Sequence, residues 1–317
     1  MHAYGGPEVL QWEEVPLPEP GPGEVLIEQK AIGLNYIDVY YRTGLYKVHG
    51  FPFVIGQEGA GVVKALGPNV SSLAVGDRVA YGNAIGAYAT NRVILAEKLV
   101  KLPDAVDFQT AASLMLQGLT AHYLLHRTFA VKPGDTILVH AAAGGVGLLL
   151  CQWAKHLGAT VIGVVSTEAK AELARQNGAS HVVIGSEGLS AEIKRLTGGA
   201  MVPVVYDSVG RDTFQASLDC LAPLGLMVSY GNSSGAVPPV DLSLLSAKGS
   251  LFLTRPSLAT YASKRPDLER MSADLFAVVA SGAVRAAINQ TFPLREAAAA
   301  HTALEARKTT GSTVLLV

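Results

Sequence analysis

The sequence predicts an α/β protein in which a doubly wound parallel sheet with helices on both faces is joined to a smaller β-rich domain. Three observations predict it. From Thr136 to Asp207, strand-like apolar runs alternate regularly with segments of helical period, the pattern of repeated βα units and so of a parallel sheet. His140-Ala-Ala-Ala-Gly-Gly-Val-Gly147 sets a glycine turn between a β-rich run and a helical one. Before about Pro103 the chain reads instead as short strands broken by Gly and Pro, as a small barrel requires.

Taken in order, Gly21 to Gly33 predicts a strand after a Pro-rich entry. Leu34 to Tyr46 predicts a short helix closed by Gly44, and Phe53 to Val63 a glycine-rich strand where backbone approaches backbone or ligand. Gly76–Ala80 and Gly86–Leu95 give further strands. Thr110 to Leu125 is apolar at helical spacing and leads into the second domain. There the strands are Thr136–His140, Thr160–Val165, His181–Ile184 and Val202–Asp207, separated by helices Leu148–Leu157, Glu168–Asn177 and Ser190–Thr197. A helix Thr213–Leu221 and strands within Gly225–Gly231 and Ser250–Thr254 complete the sheet. Asp267–Ser281 predicts a long helix, and Phe292–Val317 a short helix and a strand, Ser312–Val317, that returns to the first domain.

Composition narrows the function classes. The chain has 317 residues, which favours two domains, and 49% hydrophobic against 16% charged residues with 33 glycines, which suits an α/β enzyme and excludes disorder. Twenty-five basic and 26 acidic side chains leave a net charge of -1 without charged blocks, so neither nucleic acid nor an anionic membrane is expected as a partner. Two cysteines, Cys151 and Cys220, suit a reducing, cytoplasmic setting. Ile137 to Ala154 is uncharged for long enough to suggest a membrane span, but His140, Gln152 and glycines interrupt it, and strand-then-helix explains it better.

The turn Ala142-Ala143-Gly144-Gly145-Val146-Gly147 fits A-x-G-x-x-G, with Ala142 where a first glycine is usual. Between a strand and a helix, such a turn faces backbone N–H groups and a helix N-terminus toward a dinucleotide's pyrophosphate, the Rossmann arrangement. An NAD site usually ends its second strand in Asp or Glu; here Ser166 and Thr167 stand there, with Lys170 one turn on. Hydroxyls and an ammonium suit a 2′-phosphate, so NADPH is the expected cofactor.

Gly5 to Leu10, Gly33-Leu-Asn-Tyr-Ile-Asp38, Arg42 to Tyr46, Gly59-Ala-Gly61, Gly76-Asp-Arg-Val79, His140 to Gly147, Tyr206 to Gly210 and Gly231-Asn-Ser-Ser-Gly235 together resemble the quinone oxidoreductases of the medium-chain dehydrogenase/reductase superfamily, the zeta-crystallin type. The resemblance spans essentially the whole chain. It implies a GroES-like catalytic domain (1–117 and 261–317) with an inserted Rossmann domain (118–260), NADPH in the cleft between them, a homodimer joined through the Rossmann sheets, and no zinc. The positions corresponding to the metal ligands of the zinc alcohol dehydrogenases are Asn35, Gln57 and roughly Leu116, which make no zinc site, although Glu58 survives from the Gly-His-Glu pattern.

Without a Lewis acid, alcohol oxidation loses its alkoxide stabiliser, whereas quinone reduction needs chiefly a ring held near the nicotinamide. The resemblance places Asn35, Tyr40, Tyr46, Gln57 and Thr120 around nicotinamide or substrate and Arg255 near the pocket. It gives Phe252 and Leu253 backbone contacts to the carboxamide, and assigns Ser208, Gly231, Asn232, Ser233 and Arg307 to cofactor binding. Tyr40, Tyr46 or an ordered water are the candidate proton donors, and the tyrosines can equally be packing. His140 is expected to be a satisfied core histidine. Relatives often carry an aromatic residue after the third Rossmann strand, where this chain has Gly185, which weakens NADPH selectivity. The expected activity is NADPH-dependent reduction of soluble quinones. The alternatives are an enal or enone double-bond reductase and, from another class, an NADPH-binding redox sensor or RNA-binding protein.

Overall fold

The computed structural model describes residues 1–317. The chain forms two compact units, the first comprising Met1–Leu119, Ala262–Phe276 and Ala286–Val317, the second Thr120–Tyr261 and Ala277–Arg285. Placing 261–317 wholly in the first domain therefore misassigns Ala277–Arg285. Gln152 holds that stretch to the second unit: its Oε1 accepts from the Arg285 N–H at 2.8 Å and its Nε2 donates to the Arg285 carbonyl at 3.2 Å.

The chain begins with β1 (Glu24–Leu34), α1 (Tyr36–Thr43), β2 (Glu58–Leu66), β3 (Arg78–Gly82), β4 (Asn91–Leu95), β5 (Val100–Lys101) and α2 (Phe108–Tyr123). Gly44 ends α1 at φ +79°, the left-handed turn that a glycine adopts without a Cβ penalty. A five-residue π-helical turn, Leu124–Thr128, follows α2. Next come β6 (Thr136–His140), α3 (Gly145–His156), β7 (Thr160–Val165), α4 (Glu168–Gln176), β8 (His181–Ile184), α5 (Leu189–Leu196), β9 (Val202–Asp207), α6 (Phe214–Asp219), β10 (Leu221–Ser229), α7 (Ser243–Ala247), β11 (Phe252–Thr254) and α8 (Leu258–Tyr261). The chain ends with α9 (Arg265–Ala280), β12 (Ile288–Pro293), α10 (Ala297–Glu305) and β13 (Ser312–Leu316).

The first unit is a seven-stranded sheet in the order β12-β13-β1-β2-β3-β5, with β4 also paired to β1. β13 returns the C-terminus antiparallel to β1, pairing Gly33 with Val314. β12, which the sequence pattern missed, runs parallel to β13. Its side chains alternate in burial, but Asn289, Gln290 and Thr291 supply no apolar period to read. The core gathers Val25, Ile27, Ile32, Val63, Val79, Tyr81 and Leu315.

The second unit is a six-stranded parallel sheet in the order β11-β10-β9-β6-β7-β8. From β6 the chain builds outward to β8 on one side, then crosses to β9 and builds outward to β11. The reversal lies at the carboxyl ends of β6 and β9, where open α/β sheets bind ligands. The apolar run from Ile137 resolves into β6 and α3, and no helix is long and apolar enough to cross a membrane.

Candidate active site

In the second unit, the turn after β6 enters α3 three residues earlier than the hydrophobic period indicates, at Gly145 rather than Leu148, because glycines carry no apolar signal. Ala141 takes φ +50°, and Gly144 is the N-cap, with no side chain bonded to the first-turn amides. The first N–H groups of a helix have no intrahelical partner, and no side-chain cap takes those of Gly145, Val146 and Gly147. A Cβ on Gly147 would overlap the Ala141 carbonyl oxygen, which fixes glycine there. Ala142 fills the usual first-glycine position because β7 makes room for it: a Cβ on Gly163 would lie 2.8 Å from the Ala142 Cβ.

At the end of β7, Ser166 and Thr167 are exposed. The Thr167 hydroxyl caps α4, accepting from the Lys170 N–H at 3.3 Å, which starts the helix with Lys170 in its first turn. After β9, Ser208 meets the turn that follows β10: its carbonyl accepts from Ser233 N–H at 3.2 Å, and a Cβ on Gly231 would overlap that same carbonyl. Arg255 is turned back onto this turn. Its Nη1 donates to the Ser229 carbonyl at 2.7 Å, and its Nη2 donates to the Asn232 amide oxygen at 3.1 Å when that amide is oriented to satisfy both its partners. Thr120 bonds the Tyr123 hydroxyl, Tyr123 stacks on Tyr261 at 4.4 Å, and Tyr230 bonds the Ser208 side chain. His140 is buried, its Nε2 2.9 Å from Ser217 Oγ, which donates to Asp207 at 2.8 Å. It is the satisfied core histidine the sequence predicts. Phe252 and Leu253 lie in β11, at the edge of the sheet.

In the first unit, α1 carries Asn35 at its N-cap and Tyr36, Tyr40 and Tyr41 on its turns. Tyr46 folds back against them, with ring centroids 5.3 Å from Tyr40 and 5.6 Å from Tyr41. Buried Gln57 bonds the Tyr41 hydroxyl, whose pKa is raised by burial. The Asn35 side chain is enclosed: its Nδ2 donates to Glu58 Oε1 at 2.5 Å, and its Oδ1 accepts from Gln117 Nε2 at 3.1 Å. Gln117 Oε1 in turn accepts from Ser312 Oγ at 2.7 Å, and Glu58 Oε2 accepts from the Leu116 N–H at 2.6 Å. Burial pushes the Glu58 carboxyl up to about 8 against the pull of these two donors, with Asp38 adding to the rise. Asp38, also fully buried, accepts from the Asn35 backbone N–H at 3.0 Å and from Tyr88 at 3.2 Å, and is pushed up to about 7. Tyr88 also meets His301 Nε2 at 3.0 Å, and Arg42 pairs with Glu305 at 2.7 Å. Arg307 lies just past α10 near Tyr36, whose hydroxyl is raised by burial and by Glu305 and lowered by Arg307.

Residues 21–104 match the alcohol dehydrogenase GroES-like domain, and residues 145–273 match the zinc-binding dehydrogenase family. A quinone oxidoreductase of Pseudomonas aeruginosa is 55% identical over 99% of this chain and 97% of its own length. The chain belongs to the quinone oxidoreductase family. Its superfamily is that of the medium-chain dehydrogenases/reductases, and its fold is the α/β one the sequence predicts. A solved Escherichia coli quinone oxidoreductase complexed with NADPH superimposes with a TM-score of 0.97 at 48% identity, covering 100% of this chain and 98% of that one. A 2-haloacrylate reductase of a Burkholderia species is 48% identical over 100% of this chain and 97% of its own length.

Within this quinone oxidoreductase fold, the predicted cofactor residues of the second unit fall in the turns and helix starts after β6 and β7 (143–147, Ser166, Thr167, Lys170), after β9 (Ser208), after β10 (231–233) and in β11 (Phe252, Leu253), while Thr120 lies in α2. Asn35, Tyr40, Tyr46 and Gln57 gather in the first unit around α1. Arg255, in the second unit, bonds the Ser229 carbonyl and the Asn232 amide and so braces the 231–232 turn. The zinc in one matched family name finds no donor set: no group of three or more His, Cys, Asp or Glu side chains is placed to hold a metal ion. Glu58, Gln117, Ser312 and Tyr41 were not among the predicted site residues. The signal for Glu58 and Gln117 was present, since each is a polar residue inside an apolar run and so demands a buried partner.

Proposed function

We propose that this chain uses NADPH to reduce soluble quinones, without zinc. The observation that carries the reading is what stands at the metal positions: Asn35, Gln57 and Leu116 supply no tight zinc ligand set, and the Asn35 amide is tied up instead, donating to Glu58 and accepting from Gln117. Such a site offers hydrogen bonds and no Lewis acid, which suits an acceptor that is already electron-poor better than an alcohol. The relatives' names and the E. coli complex with NADPH support the same reading.

Ala143, Gly144, Gly145, Val146 and Gly147 take the pyrophosphate through backbone N–H groups and the positive end of α3. Ser166, Thr167 and Lys170 receive the 2′-phosphate; Ser208, Gly231, Asn232 and Ser233 form the wall behind the cofactor, braced by Arg255. Thr120 and the backbone of Phe252 and Leu253 take its nicotinamide end, and Arg307 is assigned to its adenosine phosphate. NADPH, when bound, supplies the hydride. Asn35 offers a hydrogen bond to the acceptor, Tyr40 and Tyr46 flank its ring as aromatic walls, and Gln57 fixes the neighbouring Tyr41 hydroxyl. The tyrosines and ordered water are the proton sources for the reduced quinone.

The protein acts as a homodimer in a reducing compartment, the cytoplasm. For the first, β11 is an edge strand with Phe252 60% and Leu253 37% exposed, an apolar edge that pairing with a second copy covers. For the second, both cysteines are free and buried, their thiols pushed up to about 12 by burial. A second reading, reduction of an activated carbon–carbon double bond, is favoured by the 2-haloacrylate reductase relative. Steady-state turnover of NADPH and NADH with p-benzoquinone, phenanthrenequinone, 2-chloroacrylate and an alkenal separates the two. Quinone turnover with NADPH preferred is expected; turnover of the alkenal or chloroacrylate alone transfers the assignment to the second reading.

A further inference from the structure

Every bond in the buried chain Ser312–Gln117–Asn35–Glu58 points toward the carboxyl: Ser312 Oγ donates to Gln117, Gln117 to Asn35, and Asn35 to Glu58 Oε1, while Leu116 N–H donates to Oε2. Two donors and no acceptor satisfy an ionised carboxylate. A protonated Glu58 must instead donate a hydrogen. The group facing Oε1 is the Asn35 amide, which accepts it only by turning its carbonyl to Glu58 and its NH2 to Gln117. Gln117 then turns likewise and donates to Ser312, whose hydroxyl swings to the Ser113 carbonyl, already 3.5 Å away. Amides keep their shape on turning over and hydroxyls rotate, so the same heavy-atom positions accommodate both directions.

We propose that Glu58 is a positioning residue: its protonation sets the direction of this chain and so interchanges the places of the spare N–H and the spare carbonyl lone pair that the Asn35 amide presents to a bound acceptor. The inference rests on the quinone-reductase reading above.

The surroundings favour two states over one. Gly33 opens the space for the carboxyl, since a Cβ there would overlap both Glu58 Oε1 and the Ala112 carbonyl. Neighbours from α2 and β13 are neutral: Ser113, Gln117 and Ser312. The charged or titratable groups facing the site are Asp38 and Arg42 on α1, Tyr81 on β3, Tyr88 before β4, and Arg92 on β4. Glu58 has no ion-pair partner. Burial pushes the carboxyl up to about 8, which brings both protonation states within reach of working pH.

Glu58→Gln freezes the reversed direction, because the new amide accepts from Leu116 and donates to Asn35. The test is the pH dependence of kcat and kcat/KM with NADPH and p-benzoquinone, from about pH 6 to about pH 9.5, in the wild type and this variant. The wild type is expected to step between plateaus at least about threefold apart, with a midpoint near 8. Glu58→Gln is expected to run flat at the wild-type low-pH level, with NADPH affinity unchanged. An identical step in both proteins, or none in the wild type, overturns the proposal.

Infrared difference spectra of wild type carrying isotope-labelled glutamate make the test independent of the variant's folding. A labelled protonated-carboxyl band must vanish as pH rises through the same midpoint, with a shift of side-chain amide bands; the label excludes Asp38. No titrating glutamate band overturns the proposal. Absence of quinone turnover at every pH sinks the quinone reading instead, and the infrared titration then still decides whether the chain reverses.

Discussion

Glu58 costs the folded state stability whenever it is ionised, and the sign of that cost is testable. Its folded pKa, about 8, lies above the ordinary value of 4.5, so between these the folded chain holds a proton that the unfolded chain has released. Stability is therefore undiminished below about 4.5, falls as pH rises through the window, and levels off above about 8. The full loss is on the order of a few kcal/mol. His301 acts oppositely: burial, with Arg42 nearby, lowers it to about 3, so it weakens the fold as pH falls below its ordinary 6.5. The Glu58→Gln variant retains His301 and Asp38, so comparison with wild type isolates Glu58. The wild-type thermal midpoint should fall relative to that of Glu58→Gln between about pH 5 and about pH 9; a difference that ignores pH contradicts the assignment. The need for partners at Asn35 and Gln117 was legible from their apolar neighbours. The partners themselves were not, because Asn35, Glu58, Gln117 and Ser312 come from four elements whose meeting is set by the β1–β2 and β1–β13 registers.

At the scale of the element, the glycine turn and α3 were legible because strand, turn and helix are contiguous in sequence. β12 was not, because its polar residues carry no period and its existence depends on β13, which comes after it in sequence. The contacts of Arg255 were hidden for a similar reason: Ser229 and Asn232, which it bonds, lie on the neighbouring β10 and its turn. β11 carries a consequence of its own. A three-residue edge strand with Phe252 and Leu253 exposed leaves unpaired backbone groups beside apolar surface, which is where the proposed dimer would add the edge of a second copy. Phe252→Asp should convert a species of twice the chain mass to monomer in sedimentation equilibrium, by placing a charge in an apolar interface. Unchanged dimers, or a wild type that is monomeric throughout, remove β11 from that role.

At the scale of the molecule, the two units divide the chemistry. The second supplies a parallel sheet whose reversal point and first-turn amides, with no side-chain cap, suit a dinucleotide. The first supplies tyrosines on α1 and a buried amide–carboxyl chain through Asn35 and Glu58. Both architectures were readable because each is built from local periodicity, while the exact seam, with Ala277–Arg285 in the second unit, depends on Gln152 far away in sequence. On the proposed reading the chain reduces a quinone directly with NADPH. Anaerobic stopped-flow mixing of the protein loaded with stoichiometric NADPH against p-benzoquinone tests it most directly. The reduced-nicotinamide absorbance is expected to be lost in one burst equal to the sites present, slowed when the transferred hydrogen is deuterium. Absorbance that persists with every quinone, yet is lost on mixing with 2-chloroacrylate or an alkenal, would contradict that reading.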